Sequence, residues 1–336
     1  MSSRLPGSFL PGRVGLALGS GAARGWAHIG VIRALEAAGI EPDLVCGSSV
    51  GAIVGAAYAS GHLNTFERWV SGLDRAGVLR NLDLSFRGGL LKGAQFFSFM
   101  SHGLPDCEIE GLPRAFAAVA TDLDNGQEVW LREGSLHDAL RASVAMPGLI
   151  TPAKRSGRWL VDGGLVNPVP ISLCRAMGAD SVIAVDLNTT LLGRRSFETG
   201  ADAAPASAET NDPAGSASLE QLAAGDGASG EASRLWVAVE AWARDLRARI
   251  GSSDVPRPSL LPSLFEVLGN SLNIMQVRIT RSRMAGDPPD LLVTPRLTDF
   301  ALLDLDRGDE AIAEGYRATR RALDLASHVD ARYARE

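Results

Sequence analysis

Three cysteines in 336 residues, Cys46, Cys107 and Cys174, are an odd count with no metal-ligand spacing. That scarcity argues against a disulfide framework and a structural zinc site. Lysine is rarer still: Lys92 and Lys154 stand alone, and arginine carries nearly all the positive charge. At a net charge of −6 the chain lacks the basic footprint of a nucleic-acid binder. No run of 18 apolar residues occurs, and Met1-Ser2-Ser3-Arg4-Leu5-Pro6-Gly7 has no apolar signal core. The expectation is a cytoplasmic, soluble protein, peripheral at most to the inner face of a membrane. No internal repeat is visible.

What is present is ample core material, 46% hydrophobic residues at near-zero mean hydropathy. The length exceeds one average domain, so one large α/β domain with appendages is expected. Arg13–Leu18 reads as a strand, Gly19–Gly25 as a glycine-rich loop and Trp26–Ala38 as a helix stopped by Gly39. A second buried strand ends near Cys46, and an apolar helix of small residues runs from Val50 to Ala59. This β-loop-α-β-turn-α opening implies a parallel sheet with crossover helices. Asp124-Asn125-Gly126 between two apolar runs marks a hairpin, and Lys154–Gly157 an exposed turn. Trp26, Trp69 and Trp159 are expected in the core.

From Thr190 to Ser233 large apolar residues almost vanish, which predicts a flexible insert. Helical patterning resumes over 235–250 and 265–279, the latter placing Phe265, Leu268, Leu272, Met275 and Ile279 on one stripe. Packing over the core is the expected use of that stripe, membrane-surface contact the alternative. The expected divisions are an extension (1–12), an α/β domain (13–187), a low-complexity insert (188–233) and a helical C-terminal region packing on that domain (234–336).

Three stretches carry chemistry. Gly47-Ser48-Ser49-Val50-Gly51 puts Ser49 on a sharp strand-to-helix turn, with the hydroxyl exposed above the sheet. Gly47 and Gly51 have no Cβ to collide as strand and helix close. Gly19-Ser20-Gly21-Ala22-Ala23-Arg24-Gly25 follows a strand and opens a helix, so its N–H groups converge where an anion could rest. Its spacing is one residue too long for a dinucleotide fingerprint. Asp162-Gly163-Gly164 sets a carboxylate at a strand end.

A serine needs a base. Of His28, His62, His102, His137 and His328, only His328 follows Asp162, and it lies in a polar tail. Lys92 and Lys154 sit in loop-like stretches. A carboxylate acting directly on the serine remains, and a dry, hydrogen-bonded Asp162 becomes basic enough for that work.

Together these residues resemble the patatin-like phospholipase family, whose three motifs they match in order over residues 13 to 187. Arg281–Asp290 extends the similarity toward the bacterial RssA-type branch. The resemblance implies a three-layer α/β fold with a mostly parallel sheet and a helical C-terminal region. It implies a Ser49–Asp162 dyad without histidine, and an oxyanion hole drawn from Gly19, Gly21, Ala22, Ala23, Arg24 and Gly25. Gly47 and Gly51 form the elbow, and Gly163 and Gly164 complete the acid's motif. The loop departs from the usual pattern in that Ser20 replaces a glycine and an extra alanine precedes Arg24. The implied activity is lipid acyl-ester hydrolysis without metal or other cofactor, on a lipid or acyl-ester substrate. A patatin-fold regulatory protein that binds a lipid or a partner is the rival reading.

Overall fold

In the computed structural model, which describes residues 10–76, 78, 97–98, 100–147, 149–189 and 264–333, the short apolar runs become fully buried strands. Residues 190–233 of the expected insert, the helix expected over 235–250 and the stretch 82–93 lie outside the described residues, while Asn188, counted with that insert, is buried and bonded to Ser20 and Gln276. In chain order the elements are β1 (Val14–Leu18), α1 (Ala27–Ala37), β2 (Leu44–Ser48), α2 (Val50–Ala59), α3 (Leu63–Ser71), β3 (Ala115–Asp122) and β4 (Glu128–Leu131). There follow α4 (Leu136–Ser143), β5 (Ala153–Arg155), β6 (Arg158–Asp162), α5 (Ile171–Ala176), β7 (Ser181–Val185), α6 (Leu264–Gly286), β8 (Leu291–Val293) and α7 (Gly308–Tyr333).

One sheet of eight strands in the order β5-β6-β3-β2-β1-β7-β8, with β4 paired to β3, organises the molecule. Strands β3, β2, β1, β7 and β8 run parallel, as buried Val/Leu/Ala strands joined by crossovers do. Strands β4, β5 and β6 are antiparallel additions at one end. Helices cover both faces: α1, α2, α4 and α7 share one apolar cluster, while α5 packs on the other face, where Met284 of α6 joins it. The architecture is the expected three-layer α/β fold, and residues 264–333 belong to the same compact unit as the N-terminal elements.

Three local expectations need correction. Lys154 and Arg155, read as part of an exposed turn, form β5, and only Ser156 and Gly157 turn the chain, both at positive φ. Trp159 lies on the solvent face of β6 and is 45% exposed, whereas Trp26 is fully buried and Trp69 half-buried beside it. Among the described residues, the stripe expected to pack α6 on the core is not its buried face. Met275 is exposed, Leu272 and Ile279 are half-buried, and the side chains of Phe265 and Leu268 lie outside the description.

Register on β3 positions the site. Its Val119 pairs with Ser48 of β2 on one edge, and its Ala120 pairs with Asp162 of β6 on that same edge, β4 occupying the other. Two strands running in opposite directions therefore end nose to nose on successive positions of β3.

Candidate active site

Ser49 follows the end of β2 and caps α2 with φ 56° and ψ −128°, a conformation that non-glycine residues rarely adopt. The turn closes tightly. A Cβ on Gly47 would stand 2.3 Å from Ala52 Cα, and one on Gly51 would stand 2.2 Å from Leu18 O. The Ser49 N–H is held by Ser143 Oγ at 3.0 Å, from the last residue of α4. The hydroxyl is thereby aimed at β6, where Ser49 Oγ donates to Asp162 Oδ2 at 2.6 Å. Both residues are buried, and no imidazole lies between them.

Asp162 accepts a second bond, from Gly164 N–H to Oδ1 at 2.7 Å. Burial raises its pKa to about 6, against the pull of the bonds from Ser49 and Gly164, which favour the ionised form. The carboxyl is thus a far better proton acceptor than a hydrated aspartate, while still ionised at neutral pH.

The glycine loop passes beside Ser49. Gly19 and Ser20 donate their N–H groups to Val185 O and Pro168 O, Ala23 donates to Leu302 O, and Arg24 to Gly21 O. Gly25 sits inside a 3₁₀ turn, Ala22–Trp26, that the sequence pattern assigned partly to the loop and partly to α1. Among the described residues the N–H groups of Gly21 and Ala22 meet no acceptor, and Ala22 has φ 50°. Of the six loop residues expected to supply amides, these two have theirs free.

Arg24 is buried. Its Nε donates to Gly21 O at 3.0 Å and its Nη2 to Asn273 Oδ1 of α6 at 3.1 Å. It stitches the loop to itself and to the C-terminal helix.

Three further residues hold the loop, none of them marked by a motif. His28 is wholly buried, with Nε2 2.7 Å from Gly19 O and burial pulling its pKa down to about 4. The neutral ring donates to that carbonyl. Gln276 Oε1 accepts from Ser20 Oγ at 3.1 Å and from Asn188 Nδ2 at 3.0 Å, and Asn188 also donates to Ser20 O. Gln276 lies so close to Gly164 that a Cβ there would meet its Nε2 at 2.6 Å. One α6 side chain therefore touches both the loop and the acid's motif. A lone glutamine after Ile274 and Met275 gives little local signal; His28, three residues beyond Gly25, is the one that proximity to the loop could have flagged.

Two clefts meet at Ser49 and share Ala22, Met146 and Leu302. One is apolar, walled by Val50, Met100, Val144, Leu149, Ile150 and Leu305. The other runs along α6 past the polar side chains of Arg24, Asn273 and Gln276, with Leu272 and Leu302 also in its wall. Among the described residues no group of His, Cys, Asp and Glu is arranged to hold a metal ion, and no helix is long and apolar enough to cross a membrane. Cys46 and Cys174 are buried and Cys107 is half-buried, with its thiol pKa pushed up by burial and by Asp106 and Glu108.

The sequence profile of the patatin-like phospholipase family matches residues 16–175. An uncharacterized NTE family protein of Mycobacterium tuberculosis (strain ATCC 25618 / H37Rv) is 35% identical over 349 residues, covering 96% of this chain and 94% of its own. Patatin-like phospholipase domain-containing protein 6 of Homo sapiens is 35% identical over 196 residues, 56% of this chain and 14% of that protein. Among solved structures, VipD from Legionella pneumophila aligns with a TM-score of 0.47 at 14% identity, covering 93% of this chain and 66% of that one.

Proposed function

Because the chain belongs to the patatin-like phospholipase family, a family of lipid hydrolases, we propose that it is a serine lipid acyl hydrolase working through Ser49 and Asp162 alone. The observation that carries this reading is the 2.6 Å bond from Ser49 Oγ to Asp162 Oδ2 in a buried setting. Asp162 takes the hydroxyl proton as Oγ attacks the ester carbonyl. The carbonyl oxygen becomes an oxyanion, for which the N–H groups of Gly21 and Ala22 are the available donors, each worth about 3 kcal/mol in the transition state. Protonated Asp162 then gives its proton to the departing alcohol. Water, activated by the same carboxylate, releases the acyl group from Ser49.

The two clefts suit the two halves of such a substrate. The apolar one takes the acyl chain, and the one along α6 the alcohol side. The dry setting and the hydroxyl bond leave no step that needs an imidazole. Cytoplasmic location is part of the same reading.

The test is hydrolysis of p-nitrophenyl butyrate together with fluorophosphonate labelling of Ser49. Ser49→Ala and Asp162→Asn should each lose about a thousandfold or more in kcat/KM. Ser49 should be labelled in the parent and not in Ser49→Ala. Wild-type turnover by both variants sinks the proposal, and an unlabelled, inactive parent favours a binding protein on this fold instead. The ionised acid is the working base, so kcat/KM should fall as pH drops through about 6, the value set by burial of Asp162.

A further inference from the structure

The antiparallel end of the sheet is built unlike the rest. Trp130 pairs with Val119, which faces the α5 side, so Trp130 projects to that side. Trp159 neighbours Leu160, which packs on the opposite side, so Trp159 projects to the α5 side as well. Trp130 is 40% and Trp159 45% exposed, and Leu123, at the mouth of the β3–β4 turn, is 51% exposed. Each ring carries a cation: Arg132 lies 5.6 Å from the centroid of Trp130, and Lys154 lies 5.5 Å from that of Trp159. The Trp130 indole N–H bonds Glu128, which is itself neutralised by Arg283.

The same strands line a groove to which Trp130 and Arg132 both contribute, together with Arg155, Arg158, Ser156, Leu131, Leu160 and the carboxylate of Glu133. Arg155 donates through Nη2 to Glu133 O, while its Nη1 is buried with no partner. Arg158 is 3.9 Å from the buried Asp122; the exposed acids nearby are Asp124 and, beside Gly134 and Arg155, Glu108 and Glu110. Aromatic rings that carry cations, beside a groove holding an unpaired guanidinium nitrogen, match an interface where apolar chains and anionic headgroups meet.

We propose that this end of the sheet docks on an anionic phospholipid bilayer, with Leu123, Trp130 and Trp159 entering the interface and the arginine groove receiving a lipid phosphate. The surface borders the proposed catalytic site. Trp159 precedes Asp162 by three residues, about 10 Å along β6. Leu149 and Ile150, which wall the apolar cleft, lead directly into β5, the strand of Lys154. The siting relative to catalysis rests on the hydrolase reading, whereas the docking itself does not.

Docking is tested with the full chain carrying Ser49→Ala, co-sedimented with phosphatidylcholine vesicles with and without phosphatidylglycerol. Selective binding to the anionic vesicles is expected, weakening with salt. Arg155→Gln with Arg158→Gln should lower that binding about thirtyfold, from about a fivefold loss per basic residue. Leu123→Ser, Trp130→Ala and Trp159→Ala combined should lower it about tenfold or more. In a chain with Ser49 intact, those three changes should leave hydrolysis of soluble p-nitrophenyl butyrate unchanged, which separates lost docking from lost folding. If that ester is not hydrolysed at all, circular dichroism serves as the folding control and the docking result still stands by itself. Equal binding by parent and variants, no preference for anionic vesicles, or a dimer that the tryptophan changes dissolve would each overturn the proposal.

Discussion

The two long C-terminal helices solve opposite problems. Helix α7 behaves as an amphipathic helix should: Ala311, Ala318 and Leu323 face the core, and Leu325 faces water. It lies against α1 so closely that glycine meets backbone on both sides. A Cβ on Gly315 would stand 1.9 Å from Ala27 O, and one on Gly30 would stand 1.8 Å from Ile312 O. Helix α6 is turned the other way. Gln276 and Thr280 are buried with Val277, while Val267, Ile274 and Met275 are exposed. Its inward stripe is polar because what it meets is polar: Arg24 through Asn273, Ser20 and Asn188 through Gln276, and Glu128 through Arg283. Leaving those buried groups unpaired would cost more than exposing a few apolar side chains. One helix holds the fold together; the other holds the loop beside Ser49.

The contrast can be broken at its strongest point first. Gly315→Val drives side-chain atoms into the α1 backbone and should remove most of the folded population, read as collapse of the urea midpoint. Leu323→Ala, on the buried face of α7, should cost about 2–5 kcal/mol by urea denaturation. Gln276→Leu, on the buried face of α6, should cost about 1–3 kcal/mol by leaving Ser20 Oγ and the Asn188 amide without their acceptor. Its signature is a fall in kcat larger than any rise in KM, because the loop amides lose their bracing rather than the substrate its contacts. Met275→Ser, on the outward face of α6, should stay within about 0.5 kcal/mol. A larger loss there would mean that the exposed stripe is covered after all.

The same contrast marks how far the sequence could be read. Strand ends, glycine turns and the Asp124-Asn125-Gly126 hairpin are local chemistry, so the elements that carry Ser49 and Asp162 were legible. Helix α7 follows the ordinary rule, its apolar face being the buried one. Helix α6 was legible as a helix and misread in orientation, since periodicity reports which residues share a face and not which neighbour that face will meet. Strand β5 escaped because three residues with one buried side chain leave almost no pattern. Ser143, Asn188 and Gln276 escaped for a different reason. Each acts through a single bond or two with partners 88 to 256 residues away, as the Gln276 contacts to Asn188 and Ser20 illustrate, and single polar residues at such separations leave no spacing to recognise.

The abutting ends of β2 and β6 also tie chemistry to assembly. Ser49 and Asp162 are separated by 113 residues, and what brings them within bonding reach is the docking of β6 along an edge that β2 has already half filled. Shifting β6 by a single residue would swing the carboxylate through to the far side of the sheet. Covalent capture of the serine by a probe would therefore report on correct strand alignment as well as on reactivity.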